Sequence, residues 1–176
     1  MPCAHARYRR VESLRGVLPA LDVAVASATV PSVLPPTLPY FAYGSNMLAE
    51  QMEDRCPGST PRGLAHLDDH AFLINERGVA TAVRDHGSVV RGVLWTVSEA
   101  HISALDGFEG LAMGNYTREV LPVIEAGDQT EVSIYVACHD TPSTPREGYL
   151  ERVIEGAELF GISPSYIDQQ LRVWAL

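Results

Sequence analysis

The sequence predicts an α+β fold, in which a curled, mostly antiparallel sheet carries a few short helices. Three observations lead there. Stretches rich in β-branched and aromatic residues, each bounded by turn signals, outnumber the helical patterns. Two of them, residues 115–124 and 131–138, are joined as a hairpin by a Gly127-Asp128 turn. The segments with a 3.6-residue period cluster late, over residues 146–174. At 176 residues and 46% hydrophobic composition the chain can bury one good core, and no internal repeat divides it.

Residues 1–37 differ from the rest. Arg7, Arg9, Arg10 and Arg15 against Glu12 and Asp22 give +2, which leaves −11 for residues 38–176. An Ala/Val-rich stretch follows, then Pro31, Pro35, Pro36 and Pro39. As a signal peptide it would be cleaved after Ala26-Ser27-Ala28, but Pro19 and Asp22 interrupt its apolar segment. The preferred reading is an extension or a misassigned start, disordered or with a short helix at 14–26, on a stiff proline linker. The domain proper is placed at 38–176, and no catalytic residue is expected before it.

Tyr40-Phe41-Ala42-Tyr43 opens that domain as a short aromatic strand. It breaks at Gly44 and resumes as a helix from Leu48 toward Arg55, stopped by Pro57-Gly58. A strand that turns through Gly44-Ser45-Asn46 into a helix gathers free backbone N–H groups, a place for a carboxylate or a developing oxyanion. The plain alternative is a capped turn with Ser45 or Asn46 as N-cap. After a loop containing Pro61, residues 70–74, 78–83 and 89–95 read as three strands. His66, Asp68, Asp69 and His70 crowd one polar turn with no second ligand set to answer them, so no metal is expected.

Thr96-Val97-Ser98-Glu99 reads as a capping box that opens a helix through Ile102, Leu105 and Glu109, ended by Gly110. The hairpin follows. A helix at 146–160 then presents Leu150, Val153, Ile154, Ala157 and Phe160 as its apolar stripe, with Gly161 as its stop. Ser163-Pro164 starts a last helix with Ile167, Leu171 and Trp174 facing inward.

Composition excludes several chemistries. All thirteen basic residues are arginine, which removes Schiff-base chemistry and a P-loop lysine. A net charge of −9 argues against nucleic acid as a partner. No apolar run is long enough to span a bilayer, so no membrane partner is expected. Cys3, Cys56 and Cys138 form no CxxC and no even framework, which favours a reducing, cytoplasmic setting. The sequon at Asn115-Tyr116-Thr117 is read as a chance match. Cys138 and His139 are strand neighbours on opposite faces and cannot pair directly as nucleophile and base. Ser45 has no histidine at motif spacing, and Cys56 precedes Pro57 in a turn, which disfavours a nucleophilic hydrolase.

Glu109 is the anomaly of the chain. At about 100° per residue, Leu105 lies about −60° and Glu109 about −20° from Ile102, so the glutamate sits on the apolar stripe. A buried carboxylate costs several kcal/mol unless it is paired, protonated or lining a cavity. Burial, Asp106 close by and the helix C-terminus would each raise its pKa toward the range of a general base. The ordinary alternative is a glutamate that bends out to water or pairs with an arginine.

Several ordered blocks of the chain together resemble the gamma-glutamylcyclotransferases. They are Phe41-Ala42-Tyr43-Gly44-Ser45-Asn46, Gly92-Val93-Leu94-Trp95, Leu105-Asp106-Gly107-Phe108-Glu109-Gly110, Gly114-Asn115-Tyr116, and Tyr149 with Ile154-Glu155-Gly156-Ala157. The resemblance covers about residues 38–172. It implies a small mixed, mostly antiparallel β-barrel with flanking helices, whose cavity holds a γ-glutamyl group without a cofactor. It makes Glu109 the acid/base and gives the loop of Tyr43, Gly44, Ser45 and Asn46 the glutamyl end of the substrate. Tyr116, Tyr135 and Tyr149 fall where the family lines its cavity, and for each the alternative is a core tyrosine. The Ser-Asn after Tyr-Gly favours the γ-glutamyl-amino-acid branch over the γ-glutamylamine branch, which tends to carry Thr-Leu. The extension departs from the family.

The reaction so implied is an intramolecular aminolysis that releases 5-oxoproline and a free amine or amino acid, by a monomer or homodimer acting on a small γ-glutamyl molecule. The competing readings are a non-catalytic γ-glutamyl or small-anion binding module on the same scaffold, and a tailoring enzyme that removes a γ-glutamyl group from a biosynthetic intermediate.

Overall fold

The computed structural model describes residues 36–175. The expectations for the extension lie outside the described residues, apart from Pro36 and Thr37, where Thr37 already opens the first strand. The five strands are β1 (Thr37–Ala42), β2 (Thr60–Ile74), β3 (Ala80–Ser98), β4 (Tyr116–Glu125) and β5 (Asp128–Ala137). They close on themselves in the order β1-β3-β2-β4-β5. β1 runs antiparallel to β3, from Thr37↔Ser98 to Ala42↔Val93. The ring is completed by one parallel pair, Tyr40↔Ser133, between β1 and β5. This is the mixed, mostly antiparallel sheet with flanking helices that the sequence predicts.

The expected separate strands at 78–83 and 89–95 are one strand, β3. It pairs with β2 on both sides of a bulge in which residues 85–88 oppose Asp69 alone. Asp69, at a φ of 56°, accepts hydrogen bonds from the Gly87 N–H at 2.9 Å and from His86 Nδ1 at 2.9 Å. Those bonds hold its carboxyl below the usual carboxylate range, the Gly87 N–H first and the His86 side chain second. The polar turn that broke the sequence pattern is thus a stapled bulge inside a continuous ladder. Pro61, expected in a loop, lies at the start of β2 next to a second register shift.

The helices are α1 (Ala49–Arg55), α2 (Glu99–Phe108), α3 (Tyr149–Leu159) and α4 (Pro164–Tyr166), the last continued by a π-helical stretch, Ile167–Leu171, and a 3-10 turn, Arg172–Trp174. The cap of α2 is Ser98 rather than Thr96, because Thr96 is still paired to Pro39 in the ladder. Ser98 Oγ accepts from the His101 N–H, and His101 Nδ1 accepts from the Ser98 N–H, both at 3.2 Å. Gly110 ends the helix as expected, with a φ of 68°. The β4–β5 turn is Ala126-Gly127, one residue earlier than expected, with left-handed φ angles of 52° and 95°.

Phe41, Leu94, Val123 and Ile134 are fully buried in the ring. α3 covers the chain just after β1 and presses Gly156 onto it. A Cβ at Gly156 would lie 2.6 Å from the Leu48 nitrogen and 2.7 Å from the Met47 carbonyl carbon, both backbone atoms that cannot swing away. We expect Gly156→Ala to destabilise the fold by about 1–3 kcal/mol, as overpacking does. The shift of a urea unfolding midpoint at unchanged slope would measure it.

Candidate active site

Between β1 and α1 the chain makes a single 3-10 turn, Ser45–Met47, closed by Met47 N–H to Gly44 O at 3.0 Å and Leu48 N–H to Ser45 O at 3.1 Å. Neither Ser45 nor Asn46 caps a helix: both lie within the turn, and α1 begins after Leu48 with no side-chain cap. Their side chains serve other partners. Gln51 Nε2 donates to Ser45 Oγ at 2.8 Å and to Asn46 Oδ1 at 2.7 Å. Gly44 is needed for space, since a Cβ there would stand 2.8 Å from the Tyr149 hydroxyl and 3.4 Å from Ala80 Cβ.

Asn46 is buried and uses its whole amide. Its Oδ1 accepts from Gln51 and from Arg55 Nη1 at 2.9 Å. Its Nδ2 donates to the Tyr40 hydroxyl at 2.8 Å and to Glu109 Oε1 at 3.2 Å. With two donors fixed on its oxygen and two acceptors on its nitrogen, the amide has one orientation. Arg55 Nη1 also reaches Glu109 Oε1 at 3.2 Å.

Glu109 follows α2 directly and keeps its helical bond, Glu109 N–H to Leu105 O at 2.8 Å. Its side chain is 16% exposed, so the carboxylate is sheltered but open to a ligand. Burial pushes its pKa up; Arg55, the Asn46 hydrogen bond, Arg146 and Arg77 pull it down in that order, and burial prevails. Asp106 has a different role from the one expected. It binds Arg118 Nη1 at 3.0 and 2.8 Å and accepts from the Tyr135 hydroxyl at 2.7 Å.

Glu109 lines a small cavity of about 90 Å³, and the other residues singled out in the sequence line it too: Tyr43, Gly44, Ser45, Asn46, Tyr116, Tyr135 and Tyr149. The tyrosines differ in what their hydroxyls do. Tyr43 donates to the Tyr135 carbonyl at 2.6 Å and Tyr116 to the Ala80 carbonyl at 2.9 Å, so both hydroxyls are committed to backbone. The Tyr149 hydroxyl accepts from the Ala80 N–H at 3.0 Å. Burial raises the pKa of each of these tyrosines and of Tyr40, which keeps them neutral.

Tyr40, Arg55, Arg77, Phe108 and Arg146 also line the cavity and were not picked out from the sequence as site residues. Arg55 had a signal: a buried glutamate calls for a cation, and this arginine ends the helix that follows the Gly44 turn. Its guanidinium stacks 4.9 Å from the centroid of the Phe108 ring. Arg77 and Arg146 had none, because they come from connections far apart in the chain.

Comparison with known proteins agrees with this architecture. A model of the AIG2-like family matches residues 89–170. The Mus musculus gamma-glutamylcyclotransferase is 30% identical over 144 residues, covering 76% of this chain and 77% of the mouse protein. The Homo sapiens gamma-glutamylcyclotransferase is 28% identical over 141 residues, covering 74% and 75%. A solved structure of a gamma-glutamyl cyclotransferase superposes with a TM-score of 0.73 at 25% identity, covering 77% of this chain and 86% of the other. The chain belongs to the gamma-glutamylcyclotransferase family.

The Asn46 hub sets an expectation for stability. Asn46→Ala strips partners from buried or half-buried groups of Tyr40, Gln51 and Arg55 and should cost about 1–3 kcal/mol. Ser45→Ala, which removes only an acceptor for Gln51, should cost about 1 kcal/mol or less. Urea unfolding of the two variants side by side checks the order.

Proposed function

We propose that this chain is a gamma-glutamylcyclotransferase with Glu109 as the proton carrier. The observation that carries the reading is a carboxylate with a raised pKa, held by Asn46 and Arg55 on the wall of a tyrosine-lined cavity. Such a group can take a proton from an ammonium and return it to a leaving amine.

The substrate's α-ammonium gives Glu109 a proton. The freed amine attacks the substrate's own γ-carbonyl carbon, forming the C–N bond of a five-membered lactam, and the original amide C–N bond breaks. Of the three protons on the α-ammonium, one stays on the lactam nitrogen and two end on the leaving amine, the first of these carried by Glu109. The products are 5-oxoproline and a free amine or amino acid. No redox step and no external nucleophile enters the balance, so the chemistry calls for no cofactor.

The cavity's part is orientation, folding an extended γ-glutamyl side chain so that amine and carbonyl meet. Hydroxyl donors at Tyr40 and Tyr149, with the N–H groups at the start of the 44–46 turn, suit the carbonyl oxygen as charge grows on it. The glutamyl α-carboxylate lies one bond from the reacting amine's carbon and shares that inner end. A cytoplasmic setting belongs to this reading and is supported by the free thiols of Cys56 and Cys138.

Release of 5-oxoproline from γ-glutamyl-alanine and from glutathione tests the activity. Glu109→Gln should lower turnover by about 10²–10⁴-fold while the protein stays folded by circular dichroism; near-wild-type turnover removes Glu109 from the role.

The pH dependence has a definite sign. Glu109 must be ionised to accept the proton, so kcat/KM should fall on acidification at a pH above the ordinary glutamate range. Arg55→Gln removes the largest influence holding that pKa down, and should move the acidic limb to higher pH. The same shift affects folding. A pKa raised in the folded state contributes stability that is present below the unfolded glutamate value and lost as pH rises through the folded one, and Glu109→Gln should abolish that dependence.

A further inference from the structure

Arg77 and Arg146 line the same cavity, yet both are exposed, whereas Tyr40, Tyr43 and Tyr149 at its inner end are buried. Among the described residues neither arginine has a carboxylate within ion-pair distance. In a chain of net charge −9, two unmatched guanidiniums at one opening are a local exception to the overall field.

Both are arranged by the wall they stand on. The Arg146 guanidinium lies 5.2 Å from the centroid of the Tyr149 ring, and that of Arg77 lies 6.0 Å from the centroid of the Tyr116 ring. A guanidinium laid against an aromatic face keeps its edge N–H donors available to a planar anion. Their backbones are clamped together as well. The Arg146 N–H donates to the Gly78 carbonyl at 3.1 Å, and a Cβ on Gly78 would stand 2.6 Å from the Arg146 nitrogen. Asn75 holds the Arg77 N–H through Oδ1 at 3.0 Å and the His139 carbonyl through Nδ2 at 3.2 Å. The two connections that carry the arginines, β2–β3 and β5–α3, are thereby fixed side by side.

We propose that Arg77 and Arg146 form a carboxylate subsite at the cavity mouth that grips the leaving-group end of the substrate, selecting γ-glutamyl conjugates whose departing amine carries a carboxylate. This rests on the cyclisation reading above. The α-amine must reach Glu109, and the α-carboxylate is attached to the same carbon, so both stay at the inner end. The part of the substrate that extends outward is the part beyond the scissile amide, and the two exposed guanidiniums are what it meets. Both arginines also act on Glu109 through space without bonding to it, which places them within electrostatic reach of the reacting end.

The test uses γ-glutamyl-alanine and γ-glutamyl-alaninamide, which differ in one charge at the leaving end. Wild-type protein should favour the acid by about tenfold in kcat/KM, a value reduced from that of a buried charged hydrogen bond because the site is solvated. In the Arg77→Gln/Arg146→Gln double variant that preference should shrink to within about threefold of unity, through KM.

An equal loss for both substrates assigns the arginines to the glutamyl α-carboxylate or to Glu109 and overturns the subsite, as does a wild-type enzyme indifferent to the charge. Cyclisation of neither compound is instead a failure of the activity reading. Titration calorimetry of the same two compounds against Glu109→Gln, with and without the two arginine changes, then reads the subsite by itself. Equal affinities, or no binding, overturn it.

Discussion

A carboxylate shut away from bulk water must be answered by donors, and the site depends on how that requirement is met for Glu109. One amide does most of it. Asn46 spends both hydrogens and both lone pairs on four neighbours, so Tyr40, Gln51, Arg55 and Glu109 are fixed relative to one another through one side chain. The arginine contact alone would hold the acid ionised. Burial opposes it and prevails, leaving a group that can both accept and release a proton.

The surrounding fold holds that amide in place. The turn carrying Asn46 is too short to be rigid by itself, and it is braced from two directions. α3 presses Gly156 against the backbone of Met47 and Leu48, and the Tyr149 hydroxyl fills the space that a side chain at Gly44 would take. Two glycines far apart in sequence therefore permit one close approach. α2 brings Glu109 to the same place, its last turn secured by the bond to Leu105 and stopped by Gly110.

Much of this was legible in the sequence, and what was missed has physical causes. The phase of Glu109 against Ile102 and Leu105 put the acid on the inner stripe, because helical pitch is a local property. The strand–turn–helix at Gly44 was visible for the same reason. The alternative of Ser45 or Asn46 as a helix cap does not hold because both have better partners across space than the N–H groups next to them. The long β3 looked like two strands because its polar bulge is stabilised by Asp69, a residue of another strand. Asp106 was misassigned because nothing near it in the chain reveals Arg118 and Tyr135. The arginines at the cavity mouth meet only through tertiary structure.

The ring of strands is sealed by the single parallel pair of Tyr40 with Ser133, and Tyr40 is also the residue whose hydroxyl meets Asn46. The thinnest seam of the sheet therefore runs beside the acid. Breathing at that seam would disturb the surroundings of Glu109 while the thick β2–β3 ribbon stayed intact. In a warming sample, the local order around Glu109 would fade ahead of global melting, making that carboxylate's surroundings a gauge of ring closure more sensitive than the far-ultraviolet spectrum.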